Sequence, residues 1–414
     1  MGFSDPVLGV GWNPGASRAA RWRLGRMRAL LRLAGRPDRG MRVVLVAGTK
    51  GKGSTAAFLA SILHAGGVRA GLFTSPHLQT YRERIRIDGR MIGGRDLGRA
   101  IDDLRPLVTG LRRSHPTAGE PTTFELTLLL AMRAFRSEGC AVAVIEAGLG
   151  GRLDATNALD QDVSIITPIS YDHTAILGRT LPAIATEKAG IARRGRPLLT
   201  AMQRPAALAE LRRVGRAAGA QLRVIRPLGA RPTISLTGDH QRQNAALAVA
   251  AARELGVDDA AITRGLRGAT WPARFERVRG RPPIVLDGAH NGASAEALAK
   301  TLRRERRGRR VVLVVGVNRD KDARAVLRPL ARVSSAIVVT RSASPRAAQP
   351  ADVAHIAAAR AARRPITAVA PVAAAIATAR RQAGAGGLVC VTGSLALAGE
   401  ARTALGLRPI ERLW

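Results

Sequence analysis

From Arg42 onward the chain alternates short, uninterrupted apolar runs with longer stretches in which apolar residues recur every three or four positions. Runs apolar at every position suit strands covered on both faces, as in a parallel sheet, whereas the wider spacing suits helices packed on such a sheet. Arg42–Ala47 (RVVLVA), Ala141–Glu146 (AVAVIE), Asp162–Thr167 (DVSIIT) and Pro197–Ala201 are therefore predicted strands. Helical spacing follows the first run as far as His64 and returns over Thr123–Ser137, Pro182–Ala192 and His240–Leu255. A second series opens after the segment RGRPP at 279–283. Its predicted strands are Ile284–Asp287, Arg310–Gly316, Ser335–Thr340, Ile366–Ala370 and Leu388–Thr392, with helical patterns between them. The expectation is an α/β protein with a larger unit over 1–278 and a smaller doubly wound, Rossmann-like unit over 279–414.

Composition agrees with two packed units. The chain has 414 residues, 46% of them hydrophobic, which is enough for buried cores and excludes a disordered chain. No apolar run approaches the roughly 18 residues that a spanning helix needs. The N-terminal segment MGFSDPVLGVGWNPG lacks a basic stretch followed by an apolar one, so no signal peptide is expected and the protein is read as cytoplasmic. Cys140 and Cys390 both sit in apolar surroundings and read as buried thiols rather than a disulfide framework.

Charge changes the picture more. Lys and Arg number 66 against 30 Asp and Glu, a net charge of +36. Such a balance ordinarily points to nucleic acid. Yet the arginines are scattered through every region and aromatic residues make up only 3%, leaving few platforms for stacking bases. Compositional drift towards Ala, Gly and Arg accounts for this more simply, and no specific nucleic-acid partner is expected. Only five lysines remain, Lys50, Lys52, Lys188, Lys300 and Lys321. Arginine serves most surface roles, so each surviving lysine is informative.

Two of the five lie in Gly48-Thr49-Lys50-Gly51-Lys52-Gly53-Ser54-Thr55, between a predicted strand and a predicted helix. Glycines let backbone N–H groups close around phosphate oxygens, and the helix N-terminus adds partial positive charge. Lys52 can reach the outer phosphates, and Ser54 and Thr55 supply hydroxyls. The common GxxxxGK[ST] pattern is not met, because Val46 stands in place of its first glycine and Gly53 follows the lysine.

Three further positions carry chemistry. Glu146 ends a strand expected in the same sheet, where a carboxylate is placed to hold Mg2+ beside bound phosphates; alone, it reads equally as an ordinary strand-terminal acid. Arg152 and Asp154 lie just downstream. Asp172 and His173 fall at the mouth of the next strand, which makes ligation by His173 plausible. Lys188, in Thr186-Glu187-Lys188-Ala189-Gly190, sits inside a helix where arginine would serve for a surface ion pair, and so suggests a role that needs an amine.

These segments resemble the folylpolyglutamate synthase/dihydrofolate synthase family of Mur-type ATP-dependent ligases. The matching stretches run nearly the length of the chain: AGTKGKGST, GLFTSPHLQTYRERIRIDG, TTFELT, IEAGLGGRLDATN, YDHTAILG, EKAGI, WPARFE, DGAHN and TGSLALAGE. The resemblance implies an N-terminal P-loop ATPase domain that also binds pterin and a C-terminal glutamate-ligase domain. It implies that ATP activates the carboxylate of dihydropteroate, or of a folate glutamate tail, for attack by L-glutamate, with ADP and phosphate released. Such chemistry brings anions together, so lysine, Mg2+ and backbone dipoles must offset their repulsion.

The resemblance also implies roles for residues. Residues of the loop, Gly48 to Thr55, bind ATP together with Asn244, Arg274 and Asp287. Ser75, Glu146 and His173 match Mg2+ ligands, and Lys52, Glu146, His173 and Lys188 form the catalytic set. Lys188 matches a lysine that becomes carbamylated, which guanidinium cannot do. Thr122, Thr123, Phe124 and Glu125, with Arg152, Leu153 and Asp154, match pterin-binding segments. His290 and Ser394 match C-terminal motifs assigned loosely to glutamate or closure. A monomer is expected, with no membrane partner. Lys50 departs from the family's usual asparagine, and the charge of +36 exceeds what an anionic cleft requires. Another Mur-type ligase acting on a different carboxylate, or a nucleotide-regulated nucleic-acid-binding protein, are the competing readings.

Overall fold

The computed structural model describes residues 3–5, 10–12, 24–359 and 364–414. The strands β1 (Phe3–Asp5) and β2 (Val10–Trp12) pair with one another antiparallel. The first large sheet is built from β3 (Arg42–Ala47), β4 (Ala70–Phe73), β5 (Ile85–Ile87), β6 (Arg90–Met91), β7 (Val142–Glu146), β8 (Val163–Ile166), β9 (Pro197–Ala201) and β10 (Gln221–Ile225). Its order is β10-β9-β8-β3-β7-β4-β5-β6, parallel from β10 to β4, with β5 and β6 returning antiparallel. The central strands β3, β7 and β8 are the runs that read as apolar throughout, and nearly every residue in them is buried. β4, β5, β6 and β10 were not among the predicted strands. β4, β5 and β6 are short, β4 and β5 carry Gly71 and Arg86, which break the apolar pattern, and β10 (QLRVI) is a half-exposed edge strand with polar residues at Gln221 and Arg223.

The helix Lys52–Ala65 follows β3 directly and is buried from Gly53 to Leu63. It can be apolar on every side because the sheet covers one face, while helices Asp239–Glu254 and Asp259–Gly268 cover the other. On the opposite face of the sheet, helices Leu24–Leu33 and Thr123–Ser137 build a second core.

The second sheet comprises β11 (Glu276–Val278), β12 (Ile284–Leu286), β13 (Val311–Val315), β14 (Ala336–Val339), β15 (Ile366–Ala368) and β16 (Leu388–Thr392). Its order is β11-β12-β16-β13-β14-β15, parallel except at β11, with helices on both faces, so the expected doubly wound unit is present. β11 moves the start of this sheet upstream of the boundary expected at 279. Glu276, Arg277 and Val278 alternate and so lack the continuous apolar signal of a central strand, yet they pair with Leu286, Val285 and Ile284 at the sheet edge.

The end of the chain returns to the first domain. Met91 N–H donates to the Glu411 carbonyl at 2.9 Å, Leu413 N–H donates to the Gly89 carbonyl at 3.1 Å, and Leu413 is buried in the first domain's core. Arg82 completes this attachment with a two-pronged ion pair to Glu411. No helix among the described residues is long and apolar enough to cross a membrane.

Candidate active site at the domain junction

Parallel strands of both domains point their C-terminal ends at one cleft, which encloses about 670 Å³. Loops at such ends collect ligands because helix N-termini and free backbone amides face the same space. The phosphate-type loop occupies the turn after β3. Gly48 adopts φ 138°, and a Cβ there would lie 1.9 Å from Thr167 Oγ1. Gly51 caps the helix Lys52–Ala65 at φ 83°, and a Cβ there would lie 2.1 Å from Asn244 Oδ1. Asn244 thus presses directly on the loop, held by its own bond of 2.8 Å to Gln241.

Lys52 Nζ and Lys188 Nζ both donate to the Gly48 carbonyl, at 3.5 and 2.8 Å. Lys188 belongs to the last turn of the helix Leu181–Ala189 and is only 3% exposed. Burial, reinforced by the charge of Lys52, pushes its ammonium down to about 7. Burial also pushes Lys50 down to about 8, with Asp172 opposing and Arg204 adding to the shift.

Glu146 ends β7 inside the cleft and is buried, which raises its carboxyl against the opposing pull of Lys52. Ser75 N–H donates to its Oε2 at 3.2 Å. Ser75 lines the cleft beside it, and His173 stands at the cleft's mouth in a left-handed turn with φ 49°. A carboxylate with spare acceptor capacity beside a hydroxyl and a glycine-rich loop is a donor set that suits a hard divalent cation holding few protein ligands. No cluster of three or more His, Cys, Asp or Glu that could hold a metal forms among the described residues.

Arg274 lies between Ala273 at φ 55° and Phe275 at φ 49°, two non-glycine residues in the left-handed region. Asp287 stabilises that turn by accepting Phe275 N–H at 2.8 Å while its other oxygen accepts Ala289 N–H at 2.9 Å. His290 Nδ1 contacts the Gly288 carbonyl at 2.8 Å, and burial pushes its imidazole down to about 4, so it is neutral at pH 7.

The cleft gathers Gly48 to Ser54, Ser75, Glu146, His173, Lys188, Asn244, Arg274, Asp287 and His290. Thr55 lies behind the loop, fully buried. The other expected site residues do not line the cleft, and several are engaged in local structure. Thr122 and Glu125 form a reciprocal capping box on the helix Thr123–Ser137, and Glu125 is also bound by the Arg26 guanidinium at 3.0 Å. Thr123 begins that helix, and the Phe124 ring packs tilted against that of Phe73, centroids 5.6 Å apart. Asp154 accepts from Leu149 N–H at 2.8 Å and from Thr156 N–H at 3.0 Å. Arg152 pairs with Glu187 at 2.7 Å, and Leu153 is half-buried beside it. Ser394 caps the helix Leu395–Ala404 by accepting Leu397 N–H at 3.1 Å.

Sequence reasoning missed Arg204, His240 and Gln241, which also line the cleft; nothing in their spacing set them apart from an ordinary loop and helix start. Lys321, one of the five lysines, lies in neither the loop nor the helix of Lys188. Its Nζ donates to Asp172 Oδ1 at 2.7 Å across the domain junction.

Residues 46–202 match the Mur ligase middle domain, and residues 273–395 match the Mur ligase glutamate ligase domain. The dihydrofolate synthase/folylpolyglutamate synthase of Bacillus subtilis is 35% identical over 359 residues, covering 80% of this chain and 83% of its own. The chain belongs to the folylpolyglutamate synthase/dihydrofolate synthase family. It is an ATP-dependent ligase. The Mycobacterium tuberculosis folylpolyglutamate synthase complexed with ADP and AMPPCP superposes on this ligase with a TM-score of 0.89 and 32% identity, covering 94% of this chain and 97% of that one. E. coli FolC in complex with DHPP and ADP gives a TM-score of 0.84 at 29% identity, covering 94% and 95%.

Proposed function

We propose that this ligase joins L-glutamate to dihydropteroate, to the glutamate tail of a folate, or to both, through an acyl phosphate. A carboxylate oxygen takes the γ-phosphoryl group of ATP and ADP leaves. The glutamate nitrogen then forms a bond to the acyl carbon, inorganic phosphate departs, and the nitrogen gives up its proton as the amide forms. The observation that carries this reading is the cleft itself. Lys52 and the loop amides from one domain and Arg274 and His290 from the other face a single space of about 670 Å³.

Lys52 and the helix N-terminus offset the charge of the nucleotide's phosphates while a second anion approaches. Glu146, Ser75 and His173 would hold a divalent cation, which would supply Lewis-acid charge neutralisation at the phosphoryl group. Asn244, which lies against Gly51 of the loop, and Arg274, which lines the same cleft, contribute to nucleotide binding. Residues up to 272 form the unit that holds ATP and the pterin, and those from 273, where the glutamate ligase domain match and the turn into β11 begin, form the unit that presents glutamate.

Lys188 is the residue we assign to carbamylation. Carbon dioxide reacts with a neutral amine, and a lysine titrating at about 7 supplies one at neutral pH. The product would replace a second ammonium beside Lys52 by an anion, turning repulsion into attraction.

The test is the Mg2+ dependence of Glu146→Gln and the turnover of Lys52→Ala. A Mg2+ requirement raised at least tenfold in the first, and loss of turnover with an unchanged melting temperature in the second, are expected. Unchanged metal dependence and retained turnover overturn the assignments.

A further inference from the structure

Asp172 and His173 follow β8 in the first domain, whereas Lys321 and Asn291 follow β13 and β12 in the second. The Asp172 carboxylate spans this junction. Its Oδ1 accepts from Lys321 Nζ at 2.7 Å and from the His173 N–H at 3.0 Å, and its Oδ2 accepts from Asn291 Nδ2 at 2.8 Å. Both charged side chains are only 10% exposed, a setting in which charge-assisted hydrogen bonds are less screened than on the surface.

Each donor is fixed from behind. Asn291 Oδ1 caps the helix Gly292–Glu305 through Ser294 N–H at 3.1 Å, which leaves its amide nitrogen aimed at Asp172. The loop carrying Lys321 is braced by Lys321 N–H to the Asn318 carbonyl at 3.0 Å, by Arg319 N–H to the Arg346 carbonyl at 2.8 Å, and by the ion pair of Asp320 with Arg346. On the other side, His173 occupies the left-handed region at φ 49°, and its carbonyl accepts Ile176 and Leu177 N–H, both at 2.9 Å. A non-glycine residue in that region needs its surroundings to hold it there.

We infer that Lys321 is a positioning residue for ligation: acting through Asp172, it sets the backbone of His173 only when the second domain is seated against the first. This rests on the proposed role of His173 in holding the divalent cation. Docking of the second domain and completion of the site are then one event, and ATP bound to the first domain alone is not committed to phosphoryl transfer. It also accounts for lysine at 321: a compact ammonium reaches one carboxylate oxygen and leaves the other to Asn291, whereas a guanidinium fork favours both oxygens.

The test compares wild type, Lys321→Met, Asp172→Asn and the double variant. Hydrogen exchange of the full-length chain is measured with AMPPNP and Mg2+ present, alongside steady-state kinetics. Exchange over residues 172–177 is expected to rise at least tenfold in Lys321→Met, with protection of residues 42–47 unchanged. The kcat is expected to fall at least tenfold with KM for ATP changed less than threefold, and the double variant to lose no more than the worse single one. Wild-type protection over 172–177, wild-type kcat, or additive losses in the double variant overturn the inference. The exchange readout does not require turnover. A wild-type chain that fails to ligate glutamate therefore counts against the proposed function, while exchange still decides whether Lys321 sets His173.

Discussion

Lys52 Nζ and Lys188 Nζ point at one oxygen, the carbonyl of Gly48, from 3.5 and 2.8 Å. Two ammonium groups sharing one neutral acceptor inside a cleft repel each other, so the arrangement needs an anion or a lost proton. In the ligase it has a source for each: the phosphates of ATP, and the lowered titration of Lys188.

The lost proton has a thermodynamic signature. Folded Lys188 titrates at about 7 against an ordinary 10.5, so between those values the unfolded chain holds a proton that the folded chain does not. Stability attributable to this residue therefore rises with pH across that window, by at most about 1.4 kcal/mol per pH unit, and levels off outside it. In CO2-free buffer, urea titrations of wild type minus Lys188→Met are expected to show this slope. A difference that is flat with pH contradicts the buried-amine assignment.

Carbamylation of Lys188 is read directly by 13C NMR with labelled bicarbonate. A carbamate resonance is expected in the wild type, absent from Lys188→Arg, with activity lost in Lys188→Arg. Activity partly restored to Lys188→Ala by a short carboxylic acid would show that an anion, rather than an amine, is needed at this point. Full activity of Lys188→Arg removes the carbamate from the account.

Gly51→Ala tests the loop without removing a charge. Its Cβ would fall 2.1 Å from Asn244 Oδ1 at a backbone angle of φ 83° that side chains disfavour. A stability loss of about 1–3 kcal/mol is expected, together with AMPPNP binding weakened at least tenfold. Binding within threefold of wild type means that the loop does not grip the nucleotide as argued.

Glu125→Gln separates structure from substrate recognition. The carboxylate is buried, pairs with Arg26 at 2.9 Å and closes the capping box with Thr122. Removing one partner of such a pair costs about 3 kcal/mol or more, because the other charge is left buried. Chemical denaturation is expected to show that loss while KM for the pterin substrate changes less than threefold in the folded fraction. A raised KM at unchanged stability would favour substrate binding by Glu125 over this structural role.

The contrast between Glu125 and Glu146 shows what the sequence made legible. Both belong to segments matching the family, yet Glu146 ends a central strand and faces the cleft while Glu125 closes a helix cap with its backbone neighbours. Short segments report residue type and order; they do not report which way a carboxylate points. The central strands β3, β7 and β8 were legible because burial on both faces leaves a continuous apolar run. The short antiparallel strands β5, β6 and β11 were not, since their stability comes from pairing with neighbours rather than from their own composition. The contact of Lys321 with Asp172 is set by the seating of two domains, 149 residues apart in sequence, which no local pattern encodes. Lysine scarcity marked Lys321 without locating it.

The chemistry proposed for the domain junction is glutamate ligation driven by ATP. It is tested most directly by following ADP formation with Mg2+ and L-glutamate, offering dihydropteroate and tetrahydrofolate separately. ADP released in equal amount to new glutamyl amide, with at least one of the two acceptors and only when glutamate is present, is the predicted result. Absence of amide formation with both acceptors, while AMPPNP binds normally, would contradict it and direct the same cleft to a different carboxylate.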